Sequence, residues 1–237
     1  MYVNKTHSTN SHLAELHREQ KLPDGYHILT YCQTQGRGQV GNTWHSLPHQ
    51  NVLISTLILP HNLHMAEQFI LSEIVALAAQ RTLNKYTQGI TIKWPNDIYW
   101  HNQKIAGILI ENSIVGPNIK SCIAGIGINV NQTEFPEELP NPVSLAQITG
   151  RTTDKEEIAH NFLHELKILK SNIDKRAEIH HNYCSHLFRA KGMHPYKANG
   201  ETFLASIHHI SLDGTLTLQK EDTSLHDFHF KEVEIII

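Results

Sequence analysis

Three segments carry side chains whose chemistry goes beyond what a fold requires. Gln35-Gly36-Arg37-Gly38-Gln39-Val40-Gly41-Asn42-Thr43-Trp44 places three glycines within six residues, with an arginine between them. Such a loop can offer open backbone N–H groups and one cation to an anion. It is not a Walker A loop, because no Gly-Lys-Ser/Thr closes it, and no helix pattern follows as a dinucleotide-binding GxGxxG turn would need. Taken alone, the glycines also fit a plain structural loop. Lys93-Trp94-Pro95-Asn96-Asp97 sets a lysine at a strand end beside a Pro-fixed turn. That lysine is either a solvated turn residue or a fixed positive charge able to stabilise carboxylate and phosphoryl oxygens in a transition state. The third segment pairs Lys104-Ile105-Ala106-Gly107-Ile108-Leu109-Ile110-Glu111 with Gly125-Ile126-Gly127-Ile128-Asn129-Val130. Apolar strands with small residues at intervals can floor a slot for a mostly apolar ligand. Most of these side chains also fit a plain core sheet, and Gly107 and Asn129 are the functional candidates.

The elements that must position these groups are legible in outline. Ser8-Thr9-Asn10-Ser11 reads as a helix start ahead of Leu13 and Leu16. Strands are expected at 27–33, ending in the Gly-rich loop, and at 51–59, where NVLISTLIL has the look of a buried strand. The longest helix is expected over 65–86, from Phe69, Ile70, Ile74, Leu77 and Leu83. Strands follow at 90–94, 98–100, 104–111 and 121–130, with a polar hairpin turn at 101–103. A proline-rich loop covers 135–142. Thr153-Asp154-Lys155-Glu156 reads as a capping box before an amphipathic helix through Ile173, and another helix is expected over 175–190. From Pro195 on, short strands and turns predict a small antiparallel barrel. The fold class is therefore α+β, with residues 1–190 as the main domain and 191–237 as an appended barrel.

Composition narrows the function. A net charge of −3 with no basic block gives no grip on nucleic acid. No apolar run approaches the roughly 20 residues needed to span a bilayer, and the N-terminus lacks a signal-peptide core. Three scattered cysteines without a CxxC pair read as reduced thiols, which makes the cytoplasm the expected compartment. Nineteen histidines raise the question of metal, but no HExxH or paired ligand spacing accompanies them, so no metal site is expected.

Ser8-Thr9-Asn10, Gly36-Arg37-Gly38 with Gly41 and Trp44, Lys93–Asp97, Lys104–Glu111 and Gly125–Val130 together resemble the biotin–protein ligases, in that family's order and spacing. KWPND followed by KIAGILIE is the specific part. The resemblance implies a central mixed β-sheet flanked by helices, of the class II synthetase/biotinyl-lipoyl ligase kind, and a terminal barrel of SH3-like form. It also implies an ATP-dependent, AMP-forming reaction through biotinyl-5′-adenylate, then transfer to a lysine of a biotin carboxyl carrier protein. ATP, Mg²⁺ and biotin are thus the small molecules implied, acting on a monomer or homodimer.

Carried over by position, the resemblance assigns Ser8, Thr9, Asn10, Gln33, Arg37, Gly38, Gln39, Lys93 and Gly107 to biotin. It assigns Gly36, Arg37, Trp44, Asn96, Lys104 and Asn129 to ATP and the adenylate. Lys93 and Arg37 would be the catalytic pair, and Trp44 would stack near adenine. Gln39 stands where well-known members carry arginine, which implies weaker electrostatic retention of the adenylate. Seven residues precede Ser8, so a ligase without the DNA-binding domain of the regulatory members is expected. Lipoate or octanoate ligases and transferases, and a non-catalytic biotin or nucleotide sensor, are the alternatives.

Overall fold

The computed structural model describes every residue except Val40. Its centre is a six-stranded sheet in the order β1-β2-β6-β5-β4-β3. The strands are β1 (His27–Thr30), β2 (Val52–Ile58), β3 (Ile90–Lys93), β4 (Asp97–Trp100), β5 (Gln103–Val115) and β6 (Asn118–Ile128). All neighbouring strands run antiparallel. The mixed character expected of the sheet is confined to isolated parallel bridges such as Tyr2–Leu29 and Thr6–Gln33.

Period-2 geometry divides β2 between two environments. Val52, Ile54 and Ile58 join the large core under α2 (Phe69–Leu83), whereas Leu57 packs with Leu13 of α1 (Thr9–Gln20), Ile28 and Ile123 on the opposite face. Both faces are covered, so all seven residues of β2 are buried. This is why the strand reads as a nearly continuous apolar run. The α2 helix is buried almost all round, with α4 (Lys155–Ser171) and α5 (Arg176–Ser185) packed against it. Its buried Glu73 accepts a 2.6 Å bond from His180 Nδ1, which ties α5 down.

Several local expectations are revised. The helix expected over 65–86 is a 3₁₀ turn at Met65–Glu67 followed by α2. The box expected at Thr153 is absent, because Thr153 gives its N–H to Asn131 Oδ1 at 2.9 Å; Asp154 caps α4 instead, through Glu156 N–H. A true capping box, Ser144 with Gln147, opens the short α3 (Leu145–Thr149), which periodicity over five residues could not reveal. The 104–111 strand extends to Val115, its hairpin turning at Gly116 with φ +60°.

The C-terminal strands β7 (His194–Ala198), β8 (Glu201–Ile210), β9 (Leu216–Lys220), β10 (Leu225–Phe228) and β11 (Glu234–Ile235) form a second antiparallel sheet in the order β10-β9-β8-β7-β11, where the small barrel was expected. It shares the main core. Trp94 Nε1 donates to Gly214 O at 2.9 Å, and Phe230 packs on both Phe69 and Trp94. Gly214 has φ +94°, and a Cβ there would stand 2.7 Å from the Phe69 ring, so no other residue fits this junction. Among the described residues no helix is long and apolar enough to cross a membrane.

Ile74 is fully buried on α2 in the middle of the main core. Ile74→Ala is expected to lower unfolding free energy by about 2–5 kcal/mol, read from urea unfolding curves with an unchanged m-value.

Candidate active site

Antiparallel register sets the site out in rows. Across five strands, Leu53 pairs with Gly127, Gly127 with Gly107, Gly107 with Asp97, and Asp97 with Lys93. Two residues along, Ser55 pairs with Gly125 and Gly125 with Leu109; beyond that, Leu57 meets Ile123, which meets Glu111. Residues two apart on a strand share a face, so the first row gives the site a floor of two adjacent glycines with a carboxylate and a lysine at one end. Lys104 joins this face through a register shift. Ile98 pairs with Ala106 but Tyr99 pairs with Lys104, which leaves Ile105 as the extra residue of a bulge.

The glycines are needed by what lies on them. A Cβ on Gly127 would fall 2.3 Å from Trp44 Cε2, and one on Gly107 would fall 2.8 Å from Trp44 Cζ3. The indole therefore rests against bare backbone. A Cβ on Gly125 would fall 2.2 Å from Asn10 Oδ1. The Gly-rich loop that delivers Trp44 is a short hairpin, with Trp44 N–H bonded to Gly36 O at 3.0 Å and Gly38 N–H to Asn42 O at 3.0 Å. Trp44 Nε1 is buried and has no hydrogen-bond partner among the described residues, so the slot holds a donor without an acceptor.

The slot of about 120 Å³ runs from the start of α1 to Asp97. At its α1 end, Gln33 Oε1 accepts from Thr9 N–H at 2.7 Å and from Thr9 Oγ1 at 3.0 Å. Ser8 sits at the N-cap position, but its hydroxyl does not cap the helix; Gln33 takes the Thr9 N–H. Ser55 Oγ lies 2.7 Å from Thr9 Oγ1 and also bonds Asn10 Oδ1, while Asn10 Nδ2 donates to Glu111 Oε2 at 2.8 Å. Ser8, Thr9, Asn10 and Ser55 are buried. This end is a compact set of hydroxyl and amide groups suited to a small polar head with both donors and acceptors.

The other end is charged. Lys104 Nζ stands 2.7 Å from Asp97 Oδ1 and 5.9 Å from the Trp44 ring. Lys93 Nζ approaches the Tyr99 hydroxyl at 3.4 Å and lies over that ring. Burial pushes the Lys93 ammonium below its usual 10.5, with Asp97 opposing the shift and Lys104 adding to it. Burial, helped by Asp97, raises the Tyr99 phenol to about 12, so it stays protonated.

Of the residues expected at the site, Ser8, Thr9, Asn10, Gln33, Arg37, Gly38, Gln39, Trp44, Asn96, Lys104 and Gly107 line the slot. Gly36 holds the loop beneath Trp44. Lys93 and Asn129 instead border an adjoining cavity of about 510 Å³ that shares Asn42, Trp44, Asp97 and Lys104 with the slot. Lys93 and Arg37 therefore do not meet; Arg37 is bonded to Glu111 and Ser11. Asn96 clips the turn to β5 through the Ile108 backbone, and Asn129 donates to Val143 O while its buried Oδ1 is unpartnered among the described residues. Sequence reasoning passed over Asp97, Ser55 and Glu111. Asp97 and Glu111 sat inside quoted motifs, and Ser55 was a hydroxyl in an apolar strand, a signal that was available.

A model of the biotin/lipoate A/B protein ligase family matches residues 2–129. The chain belongs to that family. The bifunctional ligase/repressor BirA of Bacillus subtilis is 34% identical over 146 residues, covering 60% of this chain and 44% of its own length. The biotin–[acetyl-CoA-carboxylase] ligase of Paracoccus denitrificans is 32% identical over 161 residues, covering 65% of each. The chain thus spans between about half and two thirds of the length of these relatives. In fold, the biotin protein ligase of Aquifex aeolicus in complex with biotin and ATP superposes with a TM-score of 0.81 at 24% identity, covering 100% of this chain and 97% of that one. The likeness runs through the C-terminal sheet as well as the ligase-family segment.

Two outcomes test this geometry. Gly127→Ala is expected to expel the Trp44 indole and cost about 1–3 kcal/mol by overpacking, with acrylamide quenching of the displaced tryptophan increased relative to a Trp44→Phe control. For Lys93, the folded pKa lies below the unfolded one, so between that lowered value and 10.5 the unfolded state binds more protons and stability rises with pH. Lys93→Met is expected to remove that alkaline rise, read as the difference in Tm between parent and variant over a pH series.

Proposed function

We propose that this chain is an ATP-dependent biotin–protein ligase of the cytoplasm. The observation that carries the proposal is the two-glycine slot, closed at one end by the Thr9–Asn10–Gln33–Ser55 cluster and bordered at the other by Lys104, Asp97 and Lys93. A ureido ring has two N–H donors and one carbonyl acceptor, which the amide and hydroxyl cluster can answer. A dithiolane or alkyl chain offers nothing to those groups and would leave them unpaired, so the polar end favours biotin over lipoate or octanoate. The aliphatic tail would run along the glycine floor once the Trp44 indole, which rests on Gly107 and Gly127, moves aside, and would bring its carboxylate to the lysines.

There a carboxylate oxygen attacks the α-phosphorus of Mg-ATP, the bond to the β-phosphate oxygen breaks, and pyrophosphate leaves. A carrier-protein lysine amine then attacks the acyl carbon of biotinyl-5′-adenylate, AMP departs, and the amine loses a proton. Neither step needs a protein nucleophile; both need alignment and stabilisation of negative charge. Lys93 and Lys104 supply that charge, and the adjoining cavity bordered by Trp44 and Asn129 has room for the nucleotide. Mg²⁺ enters with ATP, held by phosphate and water. Residues 1–190 form the catalytic unit, and 191–237 the appended module.

Incubation with Mg-ATP, biotin and a biotin carboxyl carrier domain is expected to add one biotinyl group to the carrier, read by mass; labelling by lipoate or octanoate in its place would overturn the biotin assignment. Lys93→Ala is expected to slow biotin-dependent ATP–pyrophosphate exchange by about 10²–10³-fold, with the circular dichroism spectrum unchanged.

A further inference from the structure

Arg37 carries the only charge in the Gly-rich loop, yet it is not turned toward the lysine end of the slot. Its guanidinium makes a two-pronged contact with the Glu111 carboxylate, one prong at 3.3 Å, and a 2.9 Å bond to Ser11 Oγ. The same Glu111 Oε2 accepts from Asn10 Nδ2 at 2.8 Å, and Asn10 Oδ1 is held by Ser55. One carboxylate thus joins the Gly-rich loop to the buried polar end of the slot. Register explains how it reaches both: Glu111 is on the face shared by Gly107 and Leu109, two residues beyond Leu109, where β5 passes beneath the start of α1.

We propose that Glu111 is a positioning residue that parks Arg37 at the slot's mouth and releases it to an anionic ligand, while fixing the amide orientation of Asn10. The proposal rests on the biotin-ligase reading of the slot. The Arg37 and Glu111 side chains are 45% and 36% exposed, so their pairing is screened and weak. A phosphate or carboxylate presented in the slot offers the same two-pronged acceptor in a drier setting, where it is stronger. Arg37 can therefore exchange one partner for the other at small cost. Glu111 competes with the ligand for Arg37, and this sets a threshold that only a ligand carrying its own negative charge passes.

Glu111→Gln retains an acceptor for Asn10 and removes the charge that holds Arg37. Two probes separate positioning from simple structure: biotinol-adenylate, a non-hydrolysable ester with a charged phosphate, and biotin methyl ester, which has no charge. Both are titrated calorimetrically into parent and variant, with matched melting curves to verify the fold. Glu111→Gln is expected to tighten biotinol-adenylate about two- to fivefold, the range set by an exposed ion pair, and to leave the methyl ester unchanged. In an Arg37→Ala background the same substitution is expected to do nothing. Unchanged or weakened biotinol-adenylate binding, an equal shift for both probes, or an effect that persists without Arg37 would overturn the role. A parent protein that binds neither probe would overturn the biotin reading itself, and this inference with it; that result differs from a parent that binds both and a variant that behaves identically.

Discussion

Two hydrogen atoms standing where side chains would be, on Gly107 and Gly127, are the constraint on which the rest of the site depends. They are register partners on adjacent strands, and together they leave a strip of bare backbone in the middle of an otherwise filled sheet. Trp44 occupies that strip at distances no Cβ would allow. Because the indole is there, the Gly-rich hairpin is drawn down over the sheet, and Gly36 must also lack a side chain to pass the Trp44 carbonyl, which a Cβ would approach to 2.3 Å. The site's depth, the place of its loop and the separation of its polar and charged ends all follow from the absence of side-chain volume.

The electrostatics are graded along the same floor. Neutral hydroxyl and amide groups cluster where burial is deepest, so no uncompensated charge is buried at that end. Charged groups lie farther out, and each is partly balanced: Lys104 by Asp97 where the slot meets the adjoining cavity, and Arg37 by Glu111 at the mouth above the polar end. Lys93 is the least compensated, and burial lowers its pKa for that reason. A lysine held this way is costly to keep charged and gains most when an anion arrives. Such an arrangement stabilises charge developing during a reaction more than it stabilises the resting fold.

Much of the fold was legible because its signals are local. The apolar run of β2, the spacing of Phe69 through Leu83 and the polar turn at 101–103 each state a periodicity within one segment. Short or shared signals do not fix an element's ends. The five-residue α3 is too brief for a helical period, and the Thr153 cap was lost to Asn131, 22 residues away. At the site, the motif residues were recognised but their groupings were not. Asp97 and Lys93 are neighbours through β3–β4 pairing, whereas Arg37 was expected beside Lys93 and instead pairs with Glu111, 74 residues distant.

By itself the sequence determined which chemistry was on offer: a glycine-rich loop with one arginine, a lysine fixed by a proline turn, and strands relieved by glycines. Those are properties of residue type and short-range order, and they are fixed before the chain folds. Only the tertiary structure decided which of them face one another. Strand register selected the Gly107–Gly127 pair as floor, the unpaired Ile105 turned Lys104 onto the site face, and α1 carried Asn10 down to Glu111. The physical reason is that pairing between strands distant in sequence depends on summed burial across the whole sheet, and a one-residue slip in any strand would have turned a different set of side chains toward the slot.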